Sequence, residues 1–207
     1  MTRAFLIAAL RLSLLFALVF YGIDAITAAR ATRFDMGFAW ERAIAYWPAA
    51  YPVYYSVLAM PVVAWWFLRD QHAIRQWEVR MALAIAVAAV VFLIVPGRLG
   101  YASAEAGAWQ PVAEWTRVLA GRHNLLPSLH VALTLVIVMS VWPRTGLFAR
   151  VALAVWTVAL AASALLTHQH HVMDLLAGAA LGAWAGQLEG PAAQRPGRSQ
   201  RRSSWRS

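Results

Sequence analysis

Two residue types are missing altogether. The 207-residue chain has no cysteine, which excludes disulfides, thiolate metal sites and cysteine nucleophiles but leaves the redox compartment open. It has no lysine either, so all 18 basic residues are arginine and Schiff-base chemistry is excluded. Charge of any kind is scarce. Only 13% of the residues are charged, against about 25% in soluble domains. What fills the space is apolar: 61% of the chain is hydrophobic, with eleven tryptophans. That is the composition of an integral membrane protein, and the length suits one bundle better than two domains.

A membrane span needs about 20 mostly apolar residues. Six stretches qualify, at roughly 4–27, 48–68, 79–96, 127–143, 149–167 and 172–188. The sequence therefore predicts an all-α fold, a polytopic membrane helical bundle of about six transmembrane helices within residues 1–190. Residues 191–207 follow as a basic tail. Five arginines fall in RPGRSQRRSSWRS, a composition that cannot bury a core and is expected to be disordered. It suits anionic lipid heads, and nothing else in the chain makes a nucleic-acid recognition surface. The first stretch also resembles a signal peptide, with AITAARA as a mimic of a cleavage site. Its length and the interrupting Arg11 favour retention. Six spans put both termini on one side. With those termini inside, eleven arginines face inward and six outward, which predicts cytoplasmic termini by the positive-inside rule. The tail supplies the whole excess. The expected location is a bacterial inner membrane with the site facing the periplasm. Residues 30–47 read as an interfacial amphipathic piece, and residues 97–126 as the longest polar connection. Tryptophans near span ends, such as Trp47, Trp66 and Trp142, form the usual interfacial belt.

In this topology the outer face collects Arg98, His130, the run His168, His170 and His171, and Asp174. Ionisable groups at membrane depth are costly and are functional candidates by default. His170 and Asp174 are four residues apart, which on a helix puts them on one face. A carboxylate there holds an imidazole in one tautomer and raises its basicity. Pro127 and Ser128 precede His130 at a predicted helix start, where proline and an N-cap serine are favoured and anions are attracted. Arg98 and Arg122 can supply charge to phosphate oxygens. Two histidines, an aspartate and arginines suit phosphoryl transfer: one histidine attacks phosphorus, the other protonates the leaving oxygen.

PSLH, followed some 40 residues later by HHVMD, resembles the motif pair of the type 2 phosphatidic acid phosphatase superfamily. The resemblance covers roughly residues 90–185. It implies a metal-independent membrane phosphoesterase or phosphotransferase that needs no cofactor. By the same resemblance His130 is the general acid, His170 the nucleophile that forms a phosphohistidine, and Asp174 its partner. Ser163 falls at the third motif's serine, and Arg98 at the first motif's basic residue. Arg98, Ser128, Arg122 and Ser163 are thus the expected substrate-binding set. There are departures. Ala164 stands where the third motif has arginine, no Arg-Pro follows Arg98, and Leu129 replaces the second motif's glycine. The string Leu-Thr-x-x-His-His is closer to the branch containing inositol phosphorylceramide synthase and sphingomyelin synthase, which moves a phospho-headgroup between a lipid and an alcohol.

Plainer readings accompany each residue. His168 and His171 can be interfacial polar residues, and His123 and Asn124 structural ones. Arg11 can make a polar contact or snorkel, and Tyr51, Tyr54 and Tyr55 can be a packed aromatic face. Zinc on the histidine run is a chemical rival, although adjacent histidines on one helix point apart. A proton relay or transporter is the non-enzymatic rival, and a catalytically dead relative of the family is another. The leading expectation is a bundle whose histidines act on a lipid phosphate or phospholipid at the membrane interface.

Overall fold

A computed structural model describes residues 2–102, 104–121 and 123–189. Arg122 and the predicted basic tail lie outside the described residues. Among the described residues the regular structure is helical, apart from one parallel pair of two-residue strands, β1 (Phe34–Asp35) and β2 (Gly97–Arg98).

Helix α1 (Arg3–Ala28) starts at Thr2, whose hydroxyl accepts from the Phe5 amide. It runs unbroken past Arg11, which pairs with Glu78 of α4 at 3.5 Å. Helix α4 (Gln71–Ile94) is capped by Asp70, which accepts from the Ala73 amide at 2.7 Å. It therefore begins eight residues before the expected start at 79. Trp77, in that added stretch, is buried and stacks on Phe5 at 5.0 Å. Phe20 meets Phe92 edge-on further along, so α1 and α4 run parallel.

The expected span at 48–68 is helical but broken. A 3-10 turn (Pro48–Ala50) leads into α2 (Tyr51–Tyr55), a second 3-10 stretch (Ser56–Ala59) and α3 (Met60–Phe67). Pro61 has no N–H to donate back to the preceding turn, so the regular ladder cannot run through. Helix α5 (Gln110–Leu119) lies in the long polar connection.

Helices α6 (Leu129–Val141), α7 (Leu147–Leu166) and α8 (Val172–Gln187) complete the chain. The α6–α8 contact rests on a ladder of glycines in α8. A Cβ at Gly178 would sit 2.4 Å from the Ser128 carbonyl oxygen, and one at Gly182 would sit 2.6 Å from that of Ala132. A Cβ at Gly186 would sit 2.4 Å from the Met139 sulfur. Small residues every fourth position let two helix backbones approach closely, as between membrane helices. The matched order of these contacts makes α6 and α8 parallel.

Three helices, α1, α4 and α7, are long and apolar enough to cross a membrane. The other expected spans are shorter. At 1.5 Å per residue the 16 residues of α8 cover roughly 24 Å, less than the ~30 Å hydrocarbon core. Loops gather at one end of the bundle. There Trp47 N–H donates to Leu166 O, Gly97 N–H to His123 O, and Ser128 N–H to Asp174 O.

Candidate functional site

The candidate residues meet at this loop end, by routes the sequence did not suggest. His170 is not on α8. It lies two residues ahead of the helix, and His171 is the N-cap. The expectation that His170 and Asp174 share a helical face is therefore corrected. They still meet, with His170 Nδ1 3.4 Å from Asp174 Oδ2. The cause is capping: Asp174, at the third helical position, turns back to accept the His171 amide at 2.8 Å, which draws the chain before the helix over the carboxylate. Both side chains are buried.

His130, in the first turn of α6, faces them. Its ring lies 5.7 Å from that of His170, edge to face, and stacks on Tyr54 at 4.5 Å. Two proposed catalytic histidines and the aspartate are thus brought together. The Ser128 hydroxyl does not cap α6: it is fully buried without a hydrogen-bond partner, as is Asp174 Oδ1. Buried polar atoms left in this state are costly, so their place beside the histidines fits a site more than a core.

The remaining substrate-binding candidates divide. Ser163 is buried, and its hydroxyl donates to Leu160 O within α7, away from either cavity described below. Ala164, which takes the place of the third motif's arginine, is fully buried among Tyr51, Tyr54, Val131 and Leu175. Its carbonyl accepts from the Gln169 amide, so a long cation has no room there. Arg98 is exposed on β2 and pairs with Asp35 at 3.8 Å.

His171 departs from the reading of an interfacial polar residue. It is 1% exposed. Its Nδ1 lies 2.8 Å from Glu41 Oε2, and its Nε2 accepts from the Gly100 amide at 3.1 Å. That pair of partners assigns the proton to Nδ1. Gly37 makes room, since a Cβ there would lie 2.6 Å from the imidazole. Glu41 comes from the 3-10 turn Ala39–Ala43 and was not singled out in the sequence. It also accepts from the Phe38 and Val172 amides and from the Tyr101 hydroxyl. Burial alone would raise its pKa; the hydrogen bonds from Phe38, His171 and Val172 outweigh that and hold it below the usual carboxylate range. Tyr101 lies within reach of both Glu41 and the His170 carbonyl and stacks between His168 and His171. The signal for Glu41 was a lone carboxylate among aromatics in FAWERAIAYW, in a segment read as interfacial.

His168 is half-buried with a left-handed backbone (φ 56°), and its Nε2 meets Ile44 O at 3.0 Å. Burial lowers its pKa, keeping it neutral. Asn124 donates its side-chain amide to Phe20 O at 2.6 Å, and its Oδ1 is buried without a hydrogen-bond partner. Among the described residues no three histidine, aspartate or glutamate side chains converge as metal ligands.

Two cavities lie at this loop end. The first, of about 330 Å³, lies between α1, α4, α6 and the kinked segment. Leu12, Phe16, Phe20, Met81 and Leu133 line it, with Ser13, Asn124, His130 and His170 among its polar residues. The second, of about 360 Å³, is lined by Arg33, Arg98, Arg117, His123 and Gln169. Ala120 belongs to both. A cleft of about 540 Å³ between α1 and α4 is larger, but it surrounds the Arg11–Glu78 pair and not the histidines.

No protein-family model matches this chain, and neither a curated protein nor a solved structure matches it. The likeness to the phosphatidic acid phosphatase superfamily therefore rests on the motif residues themselves.

Proposed function

We propose that the protein is an integral membrane phosphoesterase acting on a lipid-linked phosphate through a phosphohistidine. The observation that carries this reading is the apolar cavity that ends on His130 and His170. A lipid chain can lie in it while the phosphate stays at the histidines, and pockets of this size and lining are typical of ligand sites.

The geometry supports a division of labour. His170 Nδ1 faces Asp174, which leaves Nε2 to attack phosphorus. The bond from phosphorus to the lipid oxygen breaks, and that oxygen takes a proton from His130. Water then gives a proton to His130 and attacks the phosphohistidine. The P–N bond breaks, free His170 returns, and the net products are the lipid alcohol and phosphate. The 3.4 Å between His170 and Asp174 is long for a hydrogen bond, and such contacts tighten with substrate. Six membrane crossings with both termini on the cytoplasmic side, in a bacterial inner membrane, would set the histidines at the periplasmic interface. The parallel pairing of α1 with α4 and of α6 with α8 is what that topology requires.

A second reading, transfer of the phospho-headgroup to an alcohol, is favoured by the absence of an arginine at Ala164 and by the Leu-Thr-x-x-His-His string. One experiment addresses both. Purified protein in detergent with EDTA is given phosphatidic acid, phosphatidylglycerol phosphate or polyprenyl diphosphate, and released phosphate is measured. H170A and D174A are expected to abolish release while remaining folded, and H130A to lower it by about 10²–10⁴-fold. Full activity in H170A and D174A would sink the mechanism. Release only when an alcohol and a phospholipid donor are supplied together would select the transfer reading.

A further inference from the structure

Three guanidinium groups, from three separate parts of the chain, line one small recess. Arg33 comes from the turn after α1, Arg98 from β2 and Arg117 from the last turn of α5. Gathering like charges costs energy unless something offsets it. One carboxylate, Asp35, lies 3.8 Å from Arg98 and is shared with Arg42 at 3.5 Å. Exposed pairs of this kind contribute little. Asp24, on the neighbouring stretch of α1, accepts from the His123 backbone amide.

Arg33 is held in place. It donates to Ala28 O at 3.1 Å and lies 3.4 Å from His123 Nε2, while His123 Nδ1 faces Gly97 O at 3.3 Å. That pair of partners makes His123 an acceptor toward Arg33. A bracket of this sort fixes a guanidinium in advance, which is what recognition of phosphate oxygens requires.

The recess is not isolated. It meets the apolar cavity at Ala120, and consecutive residues Gln169 and His170 line one cavity each. An amphiphile with its chain in the apolar cavity would bring its phosphate to this junction, with His170 on one side and the arginines on the other. We propose that Arg33 and Arg117, together with Arg98, bind the anionic end of a phosphate-bearing amphiphile. Two of these arginines lie outside every motif that suggested the function, and they supply the charge that an arginine at position 164 would have supplied. The inference rests on the proposed function for its choice of substrate, but it concerns binding and not turnover.

The test separates the two. Dodecylphosphonate, which has no ester to cleave, is titrated calorimetrically into the protein in phosphatidylcholine nanodiscs. Wild type and H170A should bind it alike. R117A, an exposed position that leaves the Arg33 bracket intact, should bind about tenfold more weakly, R33A at least as weakly, and R117E more weakly still. Dodecanol should bind all of them equally. Affinities for the phosphonate within twofold of wild type in both R117A and R117E would overturn the proposal. So would inorganic phosphate binding as tightly as the phosphonate, since the recess would then take free anions. Arginine-dependent binding in a protein that releases no phosphate would leave the recess standing and remove the hydrolytic reading alone.

Discussion

Glu41 is the residue on which the loop end depends most. Its carboxylate gathers the Phe38 amide, the His171 ring, the Val172 amide and the Tyr101 hydroxyl. Through His171 and Tyr101 it sets the backbone that carries His170. Removing the carboxylate leaves the buried His171 Nδ1–H and the Val172 amide without their acceptor. E41A is therefore expected to lose about 2–4 kcal/mol of stability, read as a lower midpoint in tryptophan-monitored thermal unfolding. The pH dependence has a definite sign. Glu41 is held below its ordinary value in the fold, so its contribution is present above that ordinary value and disappears as pH falls through the lowered one. Wild-type unfolding midpoints should drop below about pH 4, and E41Q should lose that part of the acid limb. His168 acts in the same direction at higher pH. Its lowered pKa means that acidification below its usual value, near pH 6.5, costs stability. An unchanged acid limb in E41Q would show that the carboxylate is not the group responsible.

Among the elements, α8 decides whether the site exists. It delivers Asp174 at its N-terminal end, and its glycine face lets α6 bring His130 alongside. The Gly182 position faces the Ala132 carbonyl at 2.6 Å for any added Cβ. A backbone carbonyl cannot swing away as a side chain can. G182V should thus force the two helices apart, with a loss of about 1–3 kcal/mol from overpacking, and activity should fall with it. Matching thermal midpoints for G182V and wild type would mean that the helices are free to separate without cost. The kinked run at 48–67 has an equally local cause in its prolines. It also places Tyr54 beneath His130, so the break in the helix and the packing of the proposed acid are one feature.

For the whole molecule, the arrangement to test is which end faces which side. A chain without cysteine lends itself to single-cysteine labelling. E105C, in the loop end, and G146C, between α6 and α7, should react with an impermeant maleimide from opposite sides of the membrane. Labelling of both from one side would contradict the proposed crossing of α6. The cavity offers a second test at this scale. A9F on α1 places a ring in the apolar cavity, and it should reduce turnover of long-chain substrates more than of short-chain ones. Equal effects on both would separate the cavity from the lipid chain.

The sequence by itself determined the class of molecule. Its apolar composition, its scarcity of charge and the long runs of α1, α4 and α7 require burial in lipid or protein, because hydrophobic surface and uninterrupted helical periodicity are properties of composition and order alone. The association of His130, His170 and Asp174 was also legible, since PSLH and HHVMD resemble a known motif pair that implies it. Only the tertiary structure decided the rest. It moved His170 off the helix, withdrew His171 into the core on Glu41, engaged Ser163 within its own helix, and shortened α6 and α8 below the length of a standard span. It also assembled Arg33, Arg98 and Arg117 around one recess. The Asp174 cap and the Ser163–Leu160 bond are local in cause, but the burial of His171 on Glu41 and the arginine recess have no local signature, because they depend on which residues distant in the chain are brought within about 4 Å, the range at which hydrogen bonds, close packing and ion pairs act.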